Sequence, residues 1–214
     1  MLIRYDPPVI ALAAAFSAVA GYVDAIGYLL TGGFFVSFMS GNTTRLAIGV
    51  AAATSAAGFG AALIALFVGG VILGTLTGRW FPARRHSAIL LLVTLLLAAA
   101  AASHALGRNW VVVMPMVLAM GAENTVFAED GEVRIGLTYM TGTLVKVGKR
   151  IAAALLGGDR FGWLPYFALW LGLLAGAVLG ALLFERVGAA ALWGAVGAMT
   201  ILTTLAARMD LDAR

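Results

Sequence analysis

Two short polar segments interrupt an otherwise apolar chain, and their residue types suit the binding of a small polar molecule. The first, SGNTTR, occupies residues 40–45, and the second, TGTLVK, occupies residues 141–146. Each combines hydroxyl or amide side chains with a glycine and ends on a basic residue about one helical turn later. Because the order of residue types is shared, we interpret the two segments as copies of one functional element.

The residues around each polar segment predict a helix that begins inside the membrane. Mostly β-branched and aromatic residues precede the segments at 34–38 and 135–139, and such residues favour extended backbone. Hydroxyl and amide groups then favour a helix start, because they can cap unpaired backbone N–H groups. A helix N-terminus carries unpaired N–H donors and a partial positive charge, which suit an anion. The pattern therefore predicts one anion site shared by two half-helices.

The candidate site has a binding group and a supporting group. The candidate substrate-binding residues are Ser40, Gly41, Asn42, Thr43, Arg45, Thr141, Gly142, Thr143 and Lys146. Asp24, Glu123 and Asn124 are candidates for proton coupling or polar support, because ionisable groups within membrane spans are costly and commonly functional. Two alternatives stay open: the hydroxyl and amide groups only cap structural helices, and the acids form ion pairs, Asp24 with Arg45 and Glu123 with Lys146.

The composition places these segments in a membrane protein. Of the 214 residues, 62% are hydrophobic and 11% are charged, whereas soluble domains carry about 25% charged residues. Apolar stretches at 9–30, 59–78, 88–106 and 161–184 approach the roughly 20 residues that a spanning helix needs. The N-terminal stretch lacks a signal-peptide cleavage pattern, so we expect the first helix to be retained. The sequence predicts an all-α polytopic membrane protein with a single membrane domain, 1–214.

Recurring landmarks indicate that the chain is a duplication. Gly21 aligns with Gly121, the two polar segments align with each other, and a run of glycines recurs about 100 residues later. We assign repeat 1 to residues 8–107 and repeat 2 to residues 108–208. The glycines at 70, 74 and 78 and at 172, 176 and 180 fall on one helix face, which lets helices approach closely in lipid. We expect these faces to pack helices within the monomer or in a homodimer, with a pore-lining role as the alternative.

Basic residues near the ends of spans favour the cytoplasmic side and so predict topology. If each polar segment re-enters without crossing, ten basic residues lie inside: Arg4, Arg79, Arg84, Arg85, Arg134, Lys149, Arg150, Arg160, Arg208 and Arg214. Arg108 and Arg186 then lie outside, whereas full crossings give a near-even split. We therefore expect about six transmembrane helices, two re-entrant or broken strand–helix elements that meet near the midplane, and both termini in the cytoplasm. Three crossings per repeat invert one half relative to the other, as in many secondary transporters.

Other kinds of function find little support in the sequence. The chain has no cysteine, which excludes disulfides and thiolate metal sites, and its two histidines are far apart. No nucleophile or metalloprotease motif is present, so we expect neither an enzyme nor a cofactor. Basic residues in a membrane protein mainly report topology, so we expect no nucleic-acid partner. The expected partners are the lipid bilayer and a small-molecule solute.

Two blocks of sequence resemble the YoaK family of small, poorly characterised bacterial inner-membrane proteins. They are GYVDAIGYLLTGGFFVSFMSGNTTRLAIG at 21–49 and MGAENTVFAEDGEVRIGLTYMTGTLVKVG at 120–148. The resemblance implies an inner-membrane protein with a transport role and names no substrate. The chain departs from the family pattern at Ser40, Thr143 and Glu123, where we expect Thr, Asn and Gln, so a role of Glu123 would be particular to this chain.

Together these observations predict a secondary transporter. Its small polar, anionic solute would bind between the N-termini of two half-helices at the repeat interface, with transport coupled to protons. The alternative is a membrane assembly or regulatory subunit that does not transport. Extended segments followed by half-helices also resemble the substrate-site elements of sulfate and nucleobase transporters, an analogy of architecture alone.

Overall fold

The protein is a helical bundle, seen here in a computed structural model that describes residues 6–107, 111–129, 132–133 and 135–209. Its described α-helices are α1 Pro7–Leu30, α2 Met39–Ala51, α3 Ala56–Trp80, α4 Arg85–Ala105, α5 Val113–Glu123, α6 Met140–Leu155, α7 Leu164–Val187 and α8 Leu192–Arg208. Short 3₁₀ turns, Pro82–Arg84 and Gly188–Ala191, precede α4 and α8. A small antiparallel hairpin, β1 Ala128–Glu129 with β2 Glu132–Val133, follows α5 and was not predicted.

The helices confirm a polytopic membrane protein. In the described chain, four helical stretches are long and apolar enough to cross a membrane: Pro7–Leu30, Ala56–Trp80, Pro82–Ala105 and Leu164–Arg208. The last of these contains both α7 and α8, and Gly188 marks the bend between them with a positive φ of 60°. Helix α5 is apolar but shorter. Four basic residues used to predict topology, Arg4, Arg108, Arg134 and Arg214, lie outside the described residues.

The two halves of the chain pack crosswise. Helix α1 runs along α7, and α5 runs along α3, so the first helix of each half packs against the glycine-bearing helix of the other. A Cβ added to Gly176 would overlap the carbonyl oxygen of Ala18, and one added to Gly70 would overlap that of Leu118. Both helix pairs therefore depend on glycine for close backbone approach, as expected for association in lipid.

Cross-packing also decides between two roles that were open for the glycine faces. Gly172 and Gly180 meet the backbone of α1, and Gly74 meets α5, so these faces are filled by helices of the same chain. The prediction of packing within the monomer holds for them. A homodimer would have to use another surface.

Helix α2 begins beside the middle of α3 and ends beside its N-terminus. The backbone of Asn42 lies next to Gly60, and Gly49 lies against Ala57, so α2 and α3 are antiparallel. The ring of Phe34, just beyond the end of α1, lies 5.0 Å from the ring of Phe59 in α3. The C-terminus of α1 and the N-terminus of α3 are therefore together, and α2 leads the chain back to the side on which α1 ended.

Candidate functional site

Both polar segments open onto one cavity of about 370 Å³. It lies between the start of α2 and the start of α6, with Phe67 at the middle of α3 as a third side. The lining residues are Ser37, Phe38, Met39, Ser40, Phe67, Thr138, Tyr139, Met140, Thr141 and Gly142. Every one except Phe67 comes from an extended segment or the first turn of the following helix. The fold thus brings together two segments that are 100 residues apart in sequence.

Both helices begin abruptly after non-helical backbone. Helix α2 starts at Met39 after the first extended segment, residues 34–38, and α6 starts at Met140 after the second extended segment, residues 135–139. The predicted helix breaks are therefore present at both sites.

The predicted capping of these helices is wrong. Phe38 and Tyr139 occupy the cap positions, and neither helix start has a side-chain cap. Ser40 and Thr141 lie inside the first turn, and the hydroxyls of Thr43 and Thr143 donate to the carbonyl oxygens of Met39 and Tyr139.

Uncapped starts leave backbone N–H groups unpaired in the two helical turns that border the cavity. The N–H groups of Met39 and Met140 donate to Ser37 and Thr138. Among the described residues, the N–H groups of Ser40 and Gly41, and likewise those of Thr141 and Gly142, have no hydrogen-bond partner. Free amide donors with the partial positive charge of a helix start attract an anion.

The first extended segment is fixed by side chains. Four consecutive N–H groups, from Phe34 to Ser37, each donate to a side-chain oxygen. Thr31 accepts from Phe34 at 2.9 Å, and Oδ1 of Asp24 accepts from Val36 at 2.8 Å and from Ser37 at 2.7 Å. Because backbone groups in the membrane interior must find protein partners, these side chains are what permits the break in the helix.

Asn42 holds the same segment from the other side. Its Oδ1 accepts from the N–H of Phe35 at 3.0 Å, and its Nδ2 donates to the carbonyl oxygen of Phe35 at 2.7 Å. Asn42 is fully buried and does not line the cavity. This predicted substrate-binding residue therefore positions the extended segment instead.

The second extended segment is held differently. Ser17 of α1 donates to the carbonyl oxygen of Leu137 at 2.9 Å. Thr138 donates its hydroxyl to Oδ1 of Asn124 at 3.0 Å, and Asn124 donates to the carbonyl oxygen of Met120 at 2.9 Å. Asn124 and Asp24, which align in the two repeats, thus each bind the extended segment of their own half.

The two basic residues lie against aromatic rings and not in the cavity. The guanidinium carbon of Arg45 lies 5.1 Å from the ring centre of Phe34 and 5.9 Å from that of Tyr28. The ammonium group of Lys146 lies 5.7 Å from the ring centre of Tyr166. Such distances are typical of cation–π contacts. Neither basic residue is part of the cavity lining, so their predicted role in substrate binding stays a prediction.

The alternative ion pairs are also absent from the described residues. Asp24 uses its carboxylate for the backbone of the first extended segment, and the cation of Arg45 contacts rings. Glu123 is fully buried, and neither of its carboxylate oxygens has a hydrogen-bond partner in the described chain. The alternative pairing of Glu123 with Lys146 is therefore not formed in the described chain.

Of the predicted binding residues, three line the cavity: Ser40, Thr141 and Gly142. Gly41 packs against the rings of Phe38 and Phe35, and Thr43 faces away as an exposed residue. Sequence reasoning missed the paired lining residues Ser37 and Thr138, Phe38 and Tyr139, and Met39 and Met140. The sequence contained a signal for these residues, because the two members of each pair occupy matching positions before the two polar segments. Phe67 gave none, since it lies in a uniformly apolar helix.

The lining of the cavity combines polar and apolar groups. Its polar groups are the amide donors and five side-chain hydroxyls, those of Ser37, Ser40, Thr138, Tyr139 and Thr141. Three aromatic rings and two methionine side chains form the apolar part. Within the described residues, no group of three His, Cys, Asp or Glu side chains could hold a metal ion.

Comparison with known proteins places the chain in a family. Residues 12–205 match the family described as protein of unknown function (DUF1275). The chain belongs to this family. It is also 38% identical over 202 residues to a UPF0700 transmembrane protein of Rhizobium meliloti (strain 1021), and the match covers 92% of this chain and 85% of that relative. No solved structure is significantly similar to the chain. The expected membership of a small, poorly characterised bacterial membrane-protein family is confirmed.

Proposed function

We propose that this protein is a secondary transporter whose solute, a small anion, binds in the cavity between the starts of α2 and α6. The observation that carries the proposal is the convergence of two uncapped half-helix starts on one cavity. Each start offers free amide donors and the positive end of a helix dipole. An anion gains from both starts at once, whereas a cation would be repelled by both.

The lining favours a singly charged anion. It contains no side-chain cation, because Arg45 and Lys146 lie against aromatic rings. A divalent anion would thus have only amide and hydroxyl donors to offset the loss of its hydration, and burying an incompletely paired charge is costly. Arg45 and Lys146 contribute through their positive field, nearly two turns beyond the helix starts at Met39 and Met140.

Transport also requires the site to be reached from both sides of the membrane, which an inverted duplication provides. We assign six crossings, to α1, α3, α4, α7, α8 and the segment that contains the shorter α5, with α2 and α6 re-entering from opposite sides. The contact of Phe34 with Phe59 supports the return of α2, and crosswise glycine packing supports the equivalence of residues 8–107 and 108–208. As part of this proposal, the protein lies in the inner membrane, with both termini in the cytoplasm.

A pair of substitutions at one position tests the amide donors. Thr141→Val removes the hydroxyl and keeps the N–H group, whereas Thr141→Pro removes both, and proline is tolerated in a first helical turn. A hydrogen bond to a charged partner contributes about 1.5–3 kcal/mol, so we expect the Pro variant to bind about tenfold to a hundredfold more weakly than the Val variant. Equal binding by the two variants would reject the amide site.

The measurement is a thermal-shift screen of the purified protein against chloride, nitrate, acetate, pyruvate, sulfate and phosphate, followed by flux of each hit into proteoliposomes. Arg45→Ala and Lys146→Ala are included, and we expect them to weaken binding moderately by removing long-range charge. Binding without flux would favour the assembly or regulatory subunit. An absence of any stabilising anion would reject the proposal.

A further inference from the structure

Glu123 is the buried ionisable group that the proposed site does not use. It is the last residue of α5, has no exposed surface, and its two carboxylate oxygens have no hydrogen-bond partner among the described residues. Asp24, the acid of the other half, differs because its carboxylate accepts two backbone N–H groups. The position equivalent to Glu123 in the first repeat is the apolar Val23.

Charged groups on the neighbouring helices do not compensate Glu123. Helices α1, α3 and α4 pack against α5. Helix α4 brings Arg85, whose Nη2 donates to the carbonyl oxygen of Thr125 at 3.1 Å, and His86, whose ring lies 6.4 Å from that of Phe127. The remaining charged or histidine residues of these helices and the turn before α4 are Asp24, Arg79, Arg84 and His104. None supplies a hydrogen bond to the carboxylate of Glu123.

An ionised carboxylate in this position would be buried without a partner, which costs far more than burying the neutral acid. The arrangement is therefore compatible with a carboxylic acid and incompatible with a stable carboxylate. Converting one to the other requires the C-terminal end of α5 to meet water. A glutamate kept under these conditions is suited to binding a proton in one conformation and releasing it in another.

Glu123 is also connected to the cavity. The next residue, Asn124, accepts the hydroxyl hydrogen of Thr138 at 3.0 Å, and Thr138 lines the cavity. Both side chains are buried. A movement that hydrates the end of α5 would displace Asn124 and, through this hydrogen bond, the second extended segment.

We propose that Glu123 is the proton carrier of this protein and that Asn124 and Thr138 link its protonation to the opening of the cavity. Glu123 holds its proton in the conformation described here and gives it to water when the end of α5 becomes hydrated, leaving a carboxylate. Asp24, which holds the first extended segment, does not carry the proton. The inference rests on the proposed transport function and names its coupling ion.

A cysteine reporter tests the link without knowledge of the solute. The chain has no cysteine, so Ser40→Cys reports access to the cavity, and Ser55→Cys, in the exposed loop between α2 and α3, serves as the reference. Both are labelled in proteoliposomes with a charged methanethiosulfonate reagent from pH 5 to pH 9. We expect the ratio of the two labelling rates to change with pH in the wild-type background, to lose this dependence in Glu123→Gln, and to keep it in Glu123→Asp and in Asp24→Asn.

Infrared spectroscopy supplies a second readout. We expect the carbonyl band of a protonated carboxylic acid in the purified protein, lost in Glu123→Gln and retained in Asp24→Asn. A labelling ratio independent of pH in the wild-type background, or the same pH dependence in Glu123→Gln, would overturn the proposal, as would an unchanged carboxylic acid band in that variant. If no anion stabilised the protein but the labelling and infrared results were as expected, the anion-transport proposal would be rejected and the role of Glu123 in proton binding would stand. If anions bound and were transported but the labelling and infrared results failed, only the role of Glu123 would be rejected.

Discussion

The two extended segments do the same geometric task with different chemistry. In the first, Thr31, Asn42 and Asp24 accept four consecutive backbone N–H groups. In the second, the described side-chain bonds are those of Ser17 to Leu137 and of Thr138 to Asn124. A helix break in a membrane needs its backbone partners supplied by protein. The comparison shows that two helix breaks of similar geometry in one chain are stabilised by different side chains.

The difference extends to what each half can do. The carboxylate of Asp24 accepts hydrogen bonds from two backbone N–H groups of the first extended segment, so it has little freedom to exchange a proton. In the second half the equivalent Asn124 is neutral, and the adjacent Glu123 is without a partner in the described chain. We interpret the first half as the more rigid side of the cavity and the second half as the side that moves.

The largest effect is expected where the halves are most alike, at the glycine contacts. Gly70→Ala and Gly176→Ala each place a methyl group against a backbone carbonyl oxygen of the packed helix. Because backbone cannot turn aside as a side chain can, each should lower the free energy of unfolding by about 3 kcal/mol or more. The measurement is reversible unfolding in mixed micelles.

The control for the glycine contacts is Gly197→Ala in α8. A Cβ at Gly197 meets no atom within 4 Å, so this variant should be neutral or stabilised by about 0.5–1 kcal/mol through helix propensity. If either Gly70→Ala or Gly176→Ala were as stable as the control, the result would contradict the equivalence of the α3–α5 and α1–α7 helix pairs.

A second effect, which differs between the two halves, is expected at Asp24 and Asn124. Asp24→Ala leaves two backbone N–H groups without an acceptor, which should cost about 2–6 kcal/mol, since each unsatisfied buried donor costs about 1–3 kcal/mol. Asn124→Ala leaves one rotatable hydroxyl, that of Thr138, and should cost about 1–2 kcal/mol. Thermal denaturation in detergent compares them, with Asp24→Asn, which keeps an acceptor oxygen, as the control. Equal losses at both positions would contradict the assignment of a more rigid first half.

The smallest difference is expected between Asn42 and Thr143, which align in the two repeats. Asn42→Ala removes both bonds to Phe35 and should cost about 2 kcal/mol, at about 1 kcal/mol per bond. Thr143→Ala removes one bond to a carbonyl oxygen four residues earlier, which stabilises little, so the loss should stay below about 1 kcal/mol. Chemical denaturation of both variants measures the difference. A more damaging Thr143→Ala would show that the second segment depends on this hydroxyl after all.

Much of the fold could be predicted, because its signals are local. Apolar stretches of about 20 residues indicated spans, and residues 34–38 and 135–139 carried the preferences that end regular helix in front of Met39 and Met140. The alignment of the two repeats also indicated that the polar segments are equivalent. Capping was predicted wrongly, since the cap positions, Phe38 and Tyr139, lie two residues earlier than Ser40 and Thr141.

The contact partners of individual side chains could not be predicted from the local sequence. The rings that contact Arg45 and Lys146, and the use of Asp24 by the backbone, depend on how far each extended segment turns back along its own half. A basic residue near a helix start is equally consistent with a ligand contact and with an aromatic contact. Only the direction of the helix distinguishes them.

By itself, the sequence determined that this chain lies in a membrane and that its helices are interrupted at two polar segments of similar sequence, from which we predict two related halves. These properties follow from composition and short-range backbone preference. The tertiary structure alone decided that the interruptions share a cavity, that Asn42 and Asp24 hold backbone, and that Glu123 is left without a partner in the described chain. The reason is physical: hydrogen bonds and burial depend on which atoms meet, and in this fold atoms meet from residues as far apart in sequence as Ser17 and Leu137 or Tyr22 and Ala191.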